Sequence, residues 1–540
     1  MLALVALVAL VALVVPAAPA AVGAAPCDGS VESPAERFVV DDCGRVVILR
    51  GVNVESSSKG GSQADDHLPR SPLALQAELD QWGWNTVRFL VFWGAIEPQP
   101  GVYDEAYLDR VGAWLDWYAD HDIHVVLDLH QDLYAWQVGG NGAPDWAVDT
   151  DGHTFEGVDG PWWLSATDPA TQAAYQNFWD RSRGHPEFQD GFFGALRHLA
   201  ERFGDHPAVV GYDVWNEPVF ANGDLAATLA VIDDAAAGTF RNQRLTRFMQ
   251  RGIDAVRSVD PDNWVAVEPT SLLNAFPYAG DLVAGELDDP RPGPSRLLYA
   301  PHLYEPSAHE GTGYPTESTY VGSWERFRTG ESAALGASLW FGEWGGTSAQ
   351  PRFGDYIDEV AAMSDRAMAG WAWWSWDPST SAEGWSPIQT DGRVTTNGRR
   401  LQRVQPRAVA GTPTGFWWLP AERAFALQWE ERAGAQGPTE LALPAASYPA
   451  GFQVLVDGVV LAVVADATQP AAAPESEGDA GSWRWDPERS RLEIDPDRTA
   501  ATHEACVVPL TAAPDCPEQP TAPTPAPPAV PTPASPAFTG

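Results

Sequence analysis

Two glutamates occupy sequence contexts that suit acid–base and nucleophilic chemistry. Glu217 lies in the segment WNEP and Glu343 in the segment FGEW. Two carboxyl groups that face each other can hydrolyse a glycosidic bond, because one protonates the leaving oxygen while the other attacks or stabilises the anomeric carbon. A separation of about 5–5.5 Å gives retention of configuration and a wider gap gives inversion. The alternative is that one of the two glutamates only pairs with Arg88.

Other polar and aromatic side chains stand just after apolar runs of the chain. Strand ends are ordinarily occupied by turn residues such as Gly, Asn and Asp, so the convergence of such side chains predicts a site. Glu268 is the main rival carboxylate, and structural or subsite duty is favoured for it. The complete set is Asn53, Arg88, His130, Asp132, Asn216, Glu217, Glu268, His302, Tyr304, Glu343 and Trp376.

These side chains are positioned by a pattern that recurs eight times. Apolar runs occupy residues 46–52, 85–91, 123–129, 209–215, 264–267, 297–302, 339–343 and 370–376. Amphipathic helical stretches between most of them cover residues 73–82, 107–120, 192–203, 248–258 and 356–368. Near-continuous apolar strands indicate a parallel sheet covered by helices on both faces.

Eight such units predict an α/β fold of the (β/α)8 TIM-barrel type, with the site at the C-terminal ends of the strands. A doubly wound open sheet is the competing architecture, but no Gly-rich phosphate loop follows the first run. In a barrel, strands four and seven face each other across the mouth. The barrel therefore brings Glu217 and Glu343 together.

The pattern changes after residue 406. Phe425, Leu427 and Trp429 alternate with polar residues, and Asp457-Gly458 is typical of a hairpin turn. We therefore expect a small C-terminal antiparallel β-sandwich, either a stabilising appendage, which is favoured, or a sugar- or lipid-contacting module. The expected organisation is a signal peptide at 1–25, a catalytic barrel at 26–408, the sandwich at 409–516 and a disordered Pro/Thr/Ala-rich tail at 517–540.

The N-terminal segment predicts secretion. Residues 2–15 are an unbroken apolar run, too short to span a bilayer, and a small-x-small cleavage site follows at 18–20. In an oxidising compartment the four cysteines predict disulfides. Three pairings are possible, of which the short loops favour Cys27–Cys43 and Cys506–Cys516.

The composition excludes some partners. The chain of 540 residues has 33 Lys+Arg against 73 Asp+Glu, a formal charge of -40, so nucleic acid and anionic membrane surfaces repel it. The 25 tryptophans point either to stacking on flat ligand faces or to core packing. Several crowd the eighth run, where stacking is favoured.

The combination of these residues resembles glycoside hydrolase family 5, a clan A family of retaining (β/α)8 hydrolases, over about residues 40–410. The resemblance implies that Glu217 is the acid/base and Glu343 the nucleophile, with no cofactor. It further implies roles for a set of residues around the sugar. Arg88 would bond the nucleophile, Tyr304 would orient Glu343, and Asn216 would hold the sugar 2-hydroxyl. His130 and His302 would line the reactive subsite, and Trp376 would be the sugar platform.

Longer segments resemble the endoglycoceramidase group, which cleaves the bond between oligosaccharide and ceramide in glycosphingolipids. They are LDLHQD at 127–132, GNGAPDW at 140–146 and RAVAGTP at 407–413. In that group a lysine follows the Gly-x-Asn closely, whereas Lys59, the only lysine of this chain, lies six residues beyond Asn53. Lys59 therefore either contacts the sugar or is a solvated loop residue.

The expected substrate is a glycosphingolipid or another β-glycoside, cleaved without a transmembrane anchor. Trp162-Trp163 and Phe192-Phe193 are candidates for an apolar groove beside the sugar site, the alternative being a small loop core. The competing functions are a β-glucosidase, glucosylceramidase or endo-β-glucanase of the same family, and a non-catalytic carbohydrate-binding protein. The oligomeric state is left open by the sequence.

Overall fold

A closed barrel of eight parallel strands forms the larger part of the molecule. The computed structural model describes residues 37–520 except 220–232, 236, 279, 310, 312 and 473–480. The barrel strands pair with their sequence neighbours, and the last pairs with the first. They are β3 (Arg50–Val54), β4 (Thr86–Val91), β5 (His124–Leu129), β6 (Val209–Asp213), β7 (Trp264–Val267), β8 (Leu297–Tyr299), β9 (Ser338–Gly345) and β10 (Gly370–Trp374). The predicted barrel is confirmed.

Helices surround the strands and bury their apolar faces on them, which explains why the strands read as continuous apolar runs. Polar caps set the starts of several: the side chain of Asp104 accepts from Tyr107 N at the start of α4, and that of Asn242 accepts from Leu245 N at the start of α7. The described α-helices are α1 (Leu73–Gln76), α2 (Glu78–Gln81), α3 (Trp93–Ile96), α4 (Glu105–Asp120), α5 (Pro169–Trp179), α6 (Pro186–Phe203), α7 (Gln243–Arg257), α8 (Leu272–Ala275), α9 (Pro306–His309), α10 (Tyr320–Leu335), α11 (Phe353–Ala367) and α12 (Thr396–Leu401). Short 3₁₀ turns cover Ser56–Lys59, Trp136–Val138, Asp145–Ala147, Trp162–Thr167, Arg181–Arg183 and Ala445–Ser447.

The C-terminal strands form two antiparallel sheets that enclose a second core, as predicted. One sheet has the order β12-β13-β20-β15-β16, and the other has the order β1-β2-β11-β14-β19-β18-β17. These strands are β1 (Val39–Val40), β2 (Val46–Val47), β11 (Gln405–Val409), β12 (Gly411–Leu419), β13 (Ala424–Glu431), β14 (Thr439–Ala442), β15 (Phe452–Val456), β16 (Val459–Val464), β17 (Ala471–Ala472), β18 (Ser482–Asp486), β19 (Arg491–Asp495) and β20 (Thr502–Pro509).

The first apolar run serves both parts of the molecule. The sequence predicts one barrel strand over 46–52, but Val47 of β2 lies opposite Ala408 of β11, and only β3 joins the barrel. Both partners bury the run, so the apolar pattern continues across the division. The sandwich therefore recruits residues at both ends of the predicted barrel segment, which corrects the simple boundary at residue 408.

One predicted disulfide is present. Cys506, fully buried on β20, is bonded to Cys516, so the segment after β20 is held against the outer face of its sheet. The predicted partner of Cys43, Cys27, lies outside the described residues, as do the predicted signal peptide and the tail from residue 521. Among the described helices, none has the length and apolar character needed to cross a membrane.

A buried ion cluster joins the barrel to the sandwich. The Asp365 carboxylate on α11 accepts from Arg50 Nη1 at 2.7 Å and from Arg403 Nη2 at 3.0 Å. All three side chains are almost completely buried. The Arg50 guanidinium also lies 5.1 Å from the ring centroid of Phe416, on β12 of the sandwich. Asp365 is thus the anion that makes two buried cations tolerable at this junction.

We expect Asp365→Asn to lower the free energy of unfolding by about 3–5 kcal/mol, because it leaves two buried guanidinium groups without a counter-charge. Asp358→Asn is the matched control on the same helix, since Asp358 pairs with Arg400 at the surface. Its cost is expected to be below about 1 kcal/mol. Urea unfolding followed by fluorescence measures both variants. Equal losses would contradict the role given to Asp365.

Candidate active site

Most of the side chains singled out in the sequence converge at the C-terminal mouth of the barrel, many of them around a single arginine. Arg88 extends from β4 and is completely buried. Its guanidinium forms ion pairs of 3.0 Å with Asp128, 3.0 Å with Asp213, 3.1 Å with Glu268 and 2.8 Å with Glu343. Burial disfavours the charge, but the Asp128 and Asp213 carboxylates raise the pKa of Arg88 well above its usual value.

The same guanidinium orients two amides. Arg88 Nη1 donates to Asn53 Oδ1 at 3.1 Å, and Nη2 donates to Asn216 Oδ1 at 2.8 Å. Asn216 Nδ2 in turn donates to the carbonyl of Gln131 at 2.9 Å. The predicted contact of Asn216 with a sugar hydroxyl stays a prediction, while its position beside Glu217 is fixed by these bonds.

Glu343, on β9, is held by two donors, one on each oxygen. Oε1 accepts from Arg88, and Oε2 accepts from the Tyr304 hydroxyl at 2.8 Å. Burial raises the pKa of the Glu343 carboxyl, while the charges of His302 and Arg88 oppose that rise. The predicted contacts of Arg88 and Tyr304 with Glu343 are therefore both present.

Glu217 lies just beyond the end of β6 and is more open to solvent. Its Oε1 accepts from Asn274 Nδ2 at 2.8 Å and lies 2.7 Å from His302 Nδ1. Its backbone has a φ of +44°, in the left-handed region that non-glycine residues rarely adopt. Such a conformation costs on the order of 1–3 kcal/mol and persists where the surroundings enforce it.

The two glutamates approach each other closely, with His302 between them. One oxygen of Glu217, one of Glu343 and a nitrogen of His302 all lie within 4.8 Å of one another. His302 Nε2 also lies 3.2 Å from Glu268. Burial alone would lower the pKa of His302, but the Glu268 and Glu343 carboxylates raise it well above its usual value.

A second cluster forms the opposite wall of the mouth. Lys59 Nζ lies 2.7 Å from Asp132 and 4.3 Å from the ring centroid of Trp374. The His130 ring stacks on Trp374, with centroids 5.5 Å apart and planes at 10°, and its Nδ1 lies 2.7 Å from Asp128. Burial opposes ionisation of Asp132, but Lys59 and His130 lower the pKa of its carboxyl. Lys59 is therefore paired at the mouth rather than solvated in a loop, and its predicted contact with the sugar stays a prediction.

The prediction of Trp376 as the sugar platform is wrong. Its ring is completely buried and packs edge-on against Trp82, behind the barrel strands. Trp374, the last residue of β10, presents the aromatic face at the mouth instead. The chain leaves the strand at Trp374, so the alternation that orients side chains within a strand no longer applies two residues later.

The Phe192-Phe193 part of the predicted groove is also wrong. Both rings are buried on α6, where they pack against Phe248. Trp162 and Trp163 remain candidates, because their side chains are 57% and 45% exposed. The exposed rings of Trp162 and Trp163 lie outside the core that contains Phe192 and Phe193.

Sequence reasoning missed several residues of the site. Asp128 and Asp213 stand within β5 and β6. A carboxylate inside an apolar run indicates a functional position, so the sequence does contain a sign of both residues. Asn274 lies on the four-residue helix α8 and belongs to no recognisable motif. Gln131 follows β5 directly and contacts the backbone of Glu217.

Comparison with known families agrees with this geometry. The model described as "Cellulase (glycosyl hydrolase family 5)" matches residues 49–380, and the "Glycoside hydrolase family 5 C-terminal domain" matches residues 403–483. The sequence is 28% identical to endoglycoceramidase I of Rhodococcus hoagii (strain 103S), over 80% of this chain and 85% of that one.

Solved structures give the same result. Endo-glycoceramidase II from Rhodococcus sp. superimposes with a TM-score of 0.74 at 34% identity, covering 88% of this chain and 100% of that one. A structure of that enzyme described as a ganglioside GM3 complex gives a TM-score of 0.74 at 33% identity, over 88% and 99% of the two chains. With its barrel, its C-terminal sandwich and its paired glutamates, the chain belongs to glycosyl hydrolase family 5, a family of O-glycosyl hydrolases.

Proposed function

We propose that this protein is a secreted endo-β-glycosidase that releases intact oligosaccharides from the ceramide of glycosphingolipids by a retaining double displacement. The observation that carries the mechanism is the approach of Glu217 and Glu343 oxygens to within 4.8 Å. So close an approach favours a retaining enzyme, whose carboxyl groups lie about 5–5.5 Å apart, over an inverting one, whose carboxyl groups lie about 6.5–9.5 Å apart.

In the first step, Glu343 is the nucleophile. Its carboxylate attacks the anomeric carbon and forms a glycosyl-enzyme ester, while the bond to the aglycone oxygen breaks. Arg88 and Tyr304 hold the two oxygens of Glu343 in place. Glu217 gives its proton to the leaving oxygen, so the aglycone departs as a neutral alcohol.

In the second step, Glu217 takes a proton from water, whose oxygen attacks the anomeric carbon and displaces Glu343. The sugar is released with its original configuration, and both carboxyl groups return to their starting protonation states. His302 and Asn274 keep Glu217 Oε1 at a fixed place through both steps, because each lies within hydrogen-bond distance of that atom.

The opposite wall supplies sugar recognition. Trp374 supplies an aromatic ring at the end of β10, and Lys59, Asp132 and His130 surround it with groups that bond sugar hydroxyls. A lipid aglycone needs an apolar surface close by. Trp162 and Trp163 offer one on the insertion between β5 and β6, which leaves the barrel at its active-site end.

The substrate class rests on the relatives, two of which are described as endoglycoceramidases. Secretion rests on the apolar run at residues 2–15. A glucosylceramidase or β-glucosidase uses the same two carboxylates, so the size of the released glycan distinguishes these functions.

Incubation with GM3 ganglioside, glucosylceramide and cellotetraose tests the proposal. We expect intact sialyllactose from GM3, resolved by chromatography, and its reducing end to be β in the first NMR spectra. Release of glucose from glucosylceramide alone would favour a glucosylceramidase, and an initial α-anomer would contradict retention.

We expect Glu343→Gln to lower the turnover of GM3 more than about 10³-fold, because the glycosyl-enzyme ester can no longer form. Binding of the oligosaccharide, measured by calorimetry, should persist. Glu97→Gln is the matched control, since Glu97 is a buried glutamate that bonds Trp93 and Gly101 outside the site. Full activity of Glu343→Gln would contradict the mechanism.

Tyr304→Phe is expected to move the acidic limb of the pH profile of kcat/KM to higher pH. The hydroxyl stabilises the ionised form of Glu343, so its loss raises the pKa of a carboxyl that burial has already raised. At neutral pH we expect kcat/KM to fall about tenfold.

Tyr118→Phe provides the comparison for that shift. Tyr118 is fully buried on α4, and its hydroxyl donates to Gln76 rather than to a carboxylate of the site. Its pH profile should match that of the unmodified enzyme. An unchanged acidic limb in Tyr304→Phe would show that the hydroxyl does not set the ionisation of Glu343.

A further inference from the structure

The backbone of the proposed general acid is held in an unfavourable conformation. Glu217 has a φ of +44° and precedes Pro218, whose ring further restricts the backbone of the residue before it. Something in the surroundings must therefore enforce this conformation. The Glu217 amide donates to Glu268 Oε2 at 2.8 Å, which fixes one side of the residue.

The other side is held by one glutamine. Gln131 Nε2 donates to the carbonyl of Asn216 at 2.8 Å and to the carbonyl of Glu217 at 2.9 Å. A single amide nitrogen thus spans the two successive carbonyl groups that flank the strained residue. The carbonyl of Gln131 also accepts from Asn216 Nδ2 at 2.9 Å, so the contact runs in both directions.

The side-chain oxygen of Gln131 is also fully used in hydrogen bonds. Its Oε1 accepts from Tyr134 N at 2.8 Å and from the Tyr175 hydroxyl at 2.9 Å. The side chain is 2% exposed, so bulk solvent has little access to these bonds. Two donors and two acceptor sites are the full capacity of a primary amide. Among the natural side chains only an amide provides both the two N–H donors and the accepting oxygen. A carboxylate in its place would put an oxygen, without a proton to donate, against two carbonyl oxygens.

We propose that Gln131 is a positioning residue for catalysis, which keeps the Glu217 carboxyl at the leaving-group oxygen by holding the strained backbone around it. This inference rests on the proposed function, in which Glu217 is the general acid. With the backbone fixed by Gln131 and Glu268, only side-chain torsions remain free, and His302 and Asn274 fix those. Gln131 touches neither carboxyl group and acts through the main chain.

The network also ties the acid to the insertion. Tyr175 lies on α5, and Tyr134 lies in the segment that precedes it. Both belong to the chain between β5 and β6, which carries Trp162 and Trp163. A displacement of that segment is therefore transmitted to Glu217 through one side chain.

The leaving group provides the test, because departure of 2,4-dinitrophenolate needs no proton, whereas an alkanol leaves only with one. The two substrates are 2,4-dinitrophenyl β-lactoside and octyl β-lactoside, which share the same sugar. We expect Gln131→Met to lower kcat/KM for the octyl substrate by about 10–100-fold. For the dinitrophenyl substrate we expect a change below about threefold, because kcat/KM covers only the glycosylation step.

Gln131→Glu is the second variant and guards against poor folding of the first. It keeps the acceptor for Tyr134 and Tyr175 but loses both donors, and it should show the same dependence on the leaving group. Relative to the unmodified enzyme, its loss should shrink as the pH falls, because a protonated glutamate regains one donor. Thermal melting establishes that each variant is folded.

Gln189→Met is the matched control. Gln189 is a buried glutamine whose Nε2 also donates to two successive carbonyls, those of Phe178 at 2.8 Å and Trp179 at 3.4 Å. Its loss should change the two substrates alike. Equal losses in Gln131→Met, or the same leaving-group dependence in Gln189→Met, would overturn the proposal.

Glu217→Gln distinguishes a failure of this inference from a failure of the proposed function on which it rests. If that variant loses activity selectively on the octyl substrate and Gln131→Met does not, the acid is assigned correctly and only the positioning role is wrong. If Glu217→Gln loses both activities equally, Glu217 is not the general acid and the role given to Gln131 is overturned with it.

Discussion

The site depends on one buried cation and the acids gathered around it. The Arg88 guanidinium contacts Asp128, Asp213, Glu268 and Glu343 inside the barrel, where an unpaired carboxylate is very costly. One positive charge does not balance four negative ones. Burial raises the pKa of Glu268 well above its usual value and raises that of Asp213 as well.

The contacts around each carboxyl group give the three glutamates of the site different roles. Glu343 takes part in the cluster through one oxygen and faces the mouth with the other, whereas Glu217 stays outside it and contacts Asn274 and His302. Glu268 contacts Arg88, His302 and the backbone of Glu217, so the sequence interpretation that gave it a structural duty is the one the contacts favour. Two chemically identical residues thus acquire different roles from their surroundings.

The sequence predicts the barrel and the pair of glutamates well, for a physical reason. Strands buried on both faces must be apolar throughout, and polar residues at their ends then stand out.

Other features have no such signature in the sequence. Val46–Val47 and Arg50–Val54 read as one strand because different partners bury them equally. Phe192 and Phe193 read as a surface pair because adjacent aromatics do not reveal how wide the buried face of helix α6 is. The direction of Trp374 and Trp376 is set where the strand ends, and Asn274 reaches Glu217 from the short helix α8, whose place at the site only the folded chain defines.

The pairing of β2 with β11 has a consequence for how the chain is made. Val47 is translated early, and its neighbour Ala408 follows only after the whole barrel sequence. At about 5–20 residues per second, the ribosome needs roughly 20–70 s to supply that partner. During this interval the β1–β2 hairpin has an unpaired edge rich in valine, the kind of edge that templates association with other chains. The barrel strands, by contrast, pair with neighbours made just before or after them, except where the last strand closes on the first. The N-terminal hairpin and the first barrel strand therefore both wait for partners that are made late in the chain.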